Sequence, residues 1–233
     1  SWTNLTGTNT SRYGAAGTGT QTSSLISGGQ GSPPFAMVEK WNGSSWTTVN
    51  SMGTGRYYLT GVGSQTATLC FGGLNPVASP SIISATESYD GTNWTTLNSL
   101  NTARFGAGGS GNQTSALCFG GTAPPGNQTE SWNGTSWTTS PATLNTARSG
   151  LQGAGSQTAA LGFGGYTPAT TTATELYNGT AWTSNPTGLG ASVGNLGGAG
   201  TQTAAVAFGG APVPVSITQL WNAGPATKTI TVS

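Results

Sequence analysis

Arg104-Phe105-Gly106-Ala107-Gly108-Gly109 is followed by Ser110-Gly111-Asn112-Gln113-Thr114, then by Ser115-Ala116-Leu117-Cys118-Phe119-Gly120-Gly121. Past a Pro-rich loop the chain continues as Thr129-Glu130-Ser131-Trp132-Asn133-Gly134-Thr135-Ser136-Trp137-Thr138-Thr139. The first run is small and apolar and suits a crowded inner strand. The polar turn after it leads into a run that is short, apolar and Gly-terminated, as a buried strand is. Asn133-Gly134 supplies hairpin residues that tolerate positive φ. Trp137-Thr138-Thr139 is rich in β-formers and reads as an outer strand. Four short strands therefore succeed one another, with no helical period.

The same order recurs along the chain. The pairs Gly28-Gly29, Gly72-Gly73, Gly120-Gly121, Gly164-Gly165 and Gly209-Gly210 advance by 44, 48, 44 and 45 residues. Trp2, Trp46, Trp94, Trp137 and Trp182 advance by 44, 48, 43 and 45. A four-stranded unit of roughly 40–50 residues is the signature of a β-propeller blade. The expected fold is all-β: a single five-bladed propeller of four-stranded antiparallel blades across residues 1–233. Its units run about 12–50, 51–100, 101–143, 144–188 and 189–224. The fifth unit lacks its own Trp strand, so residues 2–5 are expected to complete that blade and close the ring. Residues 225–233 are left as an extra strand or tail, and 228–232 alternate well enough to pair with a partner.

The markers Arg, Gly-Gly, Glu-x-aromatic-Asx and Trp, in that order, resemble the kelch repeat. Arg56, Gly72-Gly73, Glu87-Ser88-Tyr89-Asp90 and Trp94 are one instance, and Arg148, Gly164-Gly165, Glu175-Leu176-Tyr177-Asn178 and Trp182 another. The resemblance covers essentially the whole chain. Its Gln-Thr steps (Gln21, Gln65, Gln113, Gln157, Gln202) and Asn-Gly-x-x-Trp turns are similar to kelch-like arrays in virion and tail proteins of marine bacteriophages. That likeness implies a virion or extracellular location, with other virion proteins or a cell-surface glycan as partners.

Charged residues make up 5% of the chain, so each can be weighed singly. Arg12, Arg56, Arg104 and Arg148 each lie nine positions before the repeat Gln. Glu39, Glu87, Glu130 and Glu175 occupy one equivalent position, and in the fifth unit both slots change together, to Val193 and Gln219. Joint loss points to a structural Arg–Glu ladder, because removing one member of a buried pair strands the other. There is no His, which removes a His base, a Ser-His-Asp triad and His-ligated metals. Glycoside hydrolysis needs two carboxylates about 5–9.5 Å apart, and only Asp90 lies outside the Glu ladder, at a hairpin turn. No enzyme, cofactor or metal is expected.

A net charge of +1 offers no basic face for nucleic acid, and no run approaches the roughly 18–20 apolar residues of a membrane span. Cys70 and Cys118 hold small-residue positions in separate units and read as buried free thiols. The chain opens inside a repeat, as a processed product or a piece of a longer polypeptide would. The Asn-x-Ser/Thr triplets at Asn42, Asn112, Asn133 and Asn178 read as turn chemistry. Binding is expected on the variable loops between second and third strands, with Phe35, Asn75, Pro76, Pro124, Asn127, Tyr166 and Pro212 as candidates. Two functions are open: a non-enzymatic structural or adhesion module of a phage virion (tail, fibre or capsid decoration), and a carbohydrate-binding, lectin-type propeller.

Overall fold

Strands form where short apolar runs alternate with Gly- and Asn-centred turns, and the chain builds five antiparallel sheets and no helix among the described residues. The computed structural model describes residues 3–122, 126–211 and 216–223. The first sheet is β1 (Ala16–Thr20), β2 (Ser23–Ser27), β3 (Val38–Trp41) and β4 (Trp46–Val49). The second is β5 (Thr60–Ser64), β6 (Ala67–Phe71), β7 (Thr86–Tyr89) and β8 (Trp94–Leu97). The third is β9 (Gly108–Gly111), β10 (Ala116–Phe119), β11 (Thr129–Trp132) and β12 (Trp137–Ser140). The fourth is β13 (Gln152–Gly155), β14 (Ala160–Phe163), β15 (Thr174–Tyr177) and β16 (Trp182–Asn185), and the fifth β17 (Gly197–Gly200), β18 (Ala204–Phe208) and β19 (Thr218–Asn222). Each strand pairs with its sequence neighbour, which makes the protein a five-bladed β-propeller.

In the third unit the inner strand starts later than the run that suggested it. Its first strand begins at Gly108 rather than Arg104. Gly106 turns the chain at φ 61°, and Arg104 is drawn inward by its ion pair, so the extended run starts only after both. Thr3–Leu5 are exposed and lie in no strand, and Trp2, the first residue of the closing strand expected at 2–5, lies outside the described residues. Residues 224–233, where an extra strand or tail was expected with 228–232 free to pair with a partner, lie outside the described residues as well.

The turn between third and fourth strands shows why the sequence pattern works. Asn133 Oδ1 accepts the N–H groups of Thr135 and Ser136 at 2.9 and 2.8 Å, while Gly134 sits at φ 93°. The aspartate in the second blade does the same: Asp90 Oδ1 accepts from Asn93 and Thr92. Those bonds hold the Asp90 carboxyl below its ordinary pKa.

The core lies between blades. Leu69, Phe71 and Val62 of the second blade pack against Ala116, Cys118, Trp132 and Trp137 of the third. Trp137 meets the Phe71 ring at 4.8 Å and donates its indole N–H to Thr86 Oγ1 at 3.0 Å. Trp182 repeats this on Phe119 and Thr129. An indole carries a large apolar surface but also a donor that must be satisfied when buried, and the Thr at the start of the third strand supplies the acceptor. Cys70 and Cys118 are fully buried and free, and burial pushes both thiols up to about 12.

Candidate functional site: the aromatic mouth of the central channel

The residue two after each Arg (or its replacement) lines the channel where the blades converge. In three units it is Gly14, Gly106 or Gly150, all at positive φ near 61–64°. The other two put a side chain there: Tyr58 at φ 50° and Asn195 at φ 52°. A non-Gly residue held in this region costs on the order of 1–3 kcal/mol, and such strain clusters at binding sites.

The side chains around this mouth form one group. Tyr58 stacks toward Phe105 with centroids 6.2 Å apart and planes 30° apart, and it meets Tyr13 at 6.3 Å and Tyr57 at 5.2 Å. A cavity of about 150 Å³ opens beside them, walled by Tyr58, Phe105, Ser149, Tyr166 and Asn195. Asn195 Nδ2 donates to Tyr166 Oη at 3.4 Å, which fixes the far wall. Glycines keep that wall in place: a Cβ at Gly194 would stand 2.2 Å from the Tyr166 ring. Burial first, then the neighbouring Tyr13, Tyr57 and Tyr166, push the Tyr58 phenol above its ordinary value, so it is a neutral hydroxyl at physiological pH.

The loops between second and third strands rim the same end. Each starts by pairing with the residue after the Arg, as Leu74 with Tyr57, Thr122 with Phe105 and Tyr166 with Ser149. Of the expected binding residues that are described, Tyr166 alone reaches the cavity wall. Phe35 is half-buried and its backbone ties Gly29 to Arg56. Asn75 caps its own loop by accepting from the Val77 N–H at 3.2 Å, and Pro76 is exposed. Asn127 reaches the Leu144 carbonyl rather than solvent. Pro124 and Pro212 lie outside the described residues.

The carboxylates are elsewhere. Arg12 pairs with Glu39, Arg56 with Glu87 at 3.2 Å, Arg104 with Glu130 at 2.8 Å and Arg148 with Glu175 at 3.1 Å, all buried within their blades. No cluster of His, Cys, Asp or Glu able to hold a metal occurs among the described residues. The mouth thus offers flat aromatic faces, hydroxyls and one amide. Aromatic faces, hydroxyls and an amide are the groups that stack against and hydrogen-bond uncharged polar molecules.

Tyr58, Phe105 and Asn195 were not expected from the sequence. Their signal was present: an aromatic after Arg at Tyr13, Tyr57 and Phe105, and a side chain in place of a repeat Gly at Tyr58 and Asn195. No protein-family model matches this chain, and no curated protein matches it either.

Proposed function

We propose that this chain is a non-enzymatic adhesion module, carried on a phage virion as part of a tail, fibre or capsid decoration, that binds through its channel mouth and the loops around it. The observation that supports binding is the aromatic-walled cavity held open by a strained Tyr58. The kelch-like order of Arg, Gly-Gly, Glu and Trp, together with its phage-like turns, supports the virion setting. Other virion proteins or a cell-surface glycan would be its partners, outside the cell.

The lectin-type reading is favoured by one feature, the pairing of Tyr58 and Phe105 faces with the Tyr166 hydroxyl and Asn195 amide. Sugars present C–H faces to aromatic rings and hydroxyls to amides. A glycan array with the purified protein, followed by titration of intrinsic fluorescence, tests it. Tyr58→Gly is expected to keep the urea midpoint, since Gly accepts the φ of 50° without strain. It should weaken glycan binding by roughly tenfold, in line with about 0.5–1.5 kcal/mol per aromatic contact. Binding that Tyr58→Gly leaves untouched would move the site off the mouth, and silence on the array with assembly onto particles would leave the structural role alone.

A further inference from the structure

The five loops that rim the channel mouth, 30–38, 74–86, 122–129, 166–174 and 211–218, contain no Lys, Arg, Asp or Glu. Neither do the two positions after each Arg or its replacement: Tyr13-Gly14, Tyr57-Tyr58, Phe105-Gly106, Ser149-Gly150 and Gly194-Asn195. The charges sit elsewhere. The four Arg–Glu pairs are buried in their blades, and Lys40 lies within β3. Asp90 holds the β7–β8 turn, which up-and-down strands put at the opposite end of the blade from the β6–β7 loop. Lys228 lies outside the described residues.

Backbone donors at the mouth are spent as well. The Tyr58 N–H donates to the Gly14 carbonyl, Gly106 to Tyr58, Gly150 to Gly106 and Asn195 to Gly150, at 2.6–2.9 Å. The N–H groups of Leu74, Thr122 and Tyr166 donate to Tyr57, Phe105 and Ser149 at 2.8 Å. The Asn195 amide is turned toward Tyr166. An anion brought here would lose its water and meet neither a cation nor a nest of free amides, so its desolvation would go uncompensated. The cavity wall offers instead the hydroxyls of Tyr58, Thr122, Ser149 and Tyr166 beside the Tyr58 and Phe105 rings. A hydroxyl both donates and accepts, and sugar hydroxyls have the same two-way capacity.

Among the described residues, room for such a ligand lies in one sector of the ring. Tyr58 leans over the Gly14 slot, where a Cβ would stand 3.1 Å from its ring. Gly106 and Gly150 are consecutive glycine slots, and the cavity of about 150 Å³ lies over them, between Tyr58 and Asn195. That is below the roughly 300–1,000 Å³ of sites for drug-sized molecules, so it suits one ring and not a chain of them. We infer that the mouth takes one neutral sugar ring per chain, from an uncharged glycan, and rejects sialic acids and uronates. This rests on the lectin-type reading and narrows its ligand to one class.

An array of neutral, sialylated and uronate-containing glycans, read between about 0.01 and 1 M salt, tests this, because the screening length falls from about 30 to about 3 Å over that range. The hits are expected to be neutral glycans, with affinity constant to about twofold across the salt series. Titration to saturation should give one site per chain. Gly106→Asn should abolish binding by filling the cavity floor, and Asn195 at φ 52° shows that this slot accepts Asn in a folded chain. Ser149→Lys should add sialylated or uronate glycans to the hits, and high salt should remove them again. Acidic glycans that bind the wild type and weaken as salt rises would overturn the inference while leaving a lectin. Two or more sites per chain, or neutral binding that survives Gly106→Asn, would do the same. Silence toward every glycan at every salt would bring down the lectin-type reading and this inference together.

Discussion

At the scale of single residues, the Arg–Glu pairs are the costliest choice in so uncharged a chain, and Arg104 shows how the cost is met. Its Nη1 donates to the Gly120 and Gln128 carbonyls at 3.0 and 3.2 Å, and its Nη2 donates to Glu130 Oε1 at 2.8 Å. Glu130 Oε2 in turn accepts the Asn101 N–H at 2.7 Å, so the pair pins the blade's entering segment to its third strand. Elsewhere the balance is less favourable: burial lowers the Arg56 guanidinium below its ordinary pKa against the pull of Glu87. The fifth blade replaces the pair altogether. Val193 is buried in an apolar cluster, and Gln219 keeps the backbone contact by accepting from the Gly190 N–H. Removing one member of a buried pair costs about 3–5 kcal/mol, and replacing both can be neutral. Arg104→Val alone is therefore expected to lower unfolding free energy by about 3–5 kcal/mol, and Arg104→Val with Glu130→Gln to recover most of it. Urea unfolding of both variants decides this: equal losses in the two would show that the guanidinium acts through its carbonyl contacts and not through Glu130.

At the scale of elements, the glutamines are what turn five similar sheets into a stack. Gln157 Nε2 donates to the Ala116 carbonyl at 3.1 Å and also to Trp132, capping β10 and β11 from the next blade. A lost neutral hydrogen bond whose partner stays buried costs about 1–3 kcal/mol. Gln157→Ala should fall in that range, whereas Gln21→Ala should stay within about 0.5 kcal/mol, as an exposed substitution does. Matching losses in urea melts of the two would mean that Gln21 is stapled like the others. The blades themselves were readable in the sequence because their determinants are local: Asn-Gly at the hairpin, Gly-Gly at the strand end, Trp at the outer strand. The glutamines were visible only as markers. Their partners lie 24 to 45 residues back, on another blade, and periodicity alone does not say which residues of neighbouring units touch. The channel mouth was hidden for a related reason. Tyr166 stood out on a variable loop, but Tyr58 sits in a slot defined by glycine, where its effect depends on Phe105, 47 residues away in the next blade.

At the scale of the whole molecule, stability should not be uniform along the arc. Repeat arrays behave as sums of unit and nearest-neighbour terms, and among the described residues the second, third and fourth blades are bonded to neighbours on both sides while the first and fifth are bonded on one. Burial follows the same order. The inner strand Gly108–Gly111 of the third blade is almost wholly buried, while Gly197–Gly200 of the fifth is half-buried to exposed. The central strands repeat the contrast: Ala116–Phe119 is buried throughout, and Ala204–Phe208 alternates with exposed positions. Partial opening should therefore start at the ends, because few buried contacts hold them. Native-state hydrogen exchange at low protein concentration is expected to give the greatest protection to amides of Ala116–Phe119, less to Ser23–Ser27, and least to Ala204–Phe208. Equal protection across all five blades would show instead that the first and fifth blades are held as tightly as the three between them.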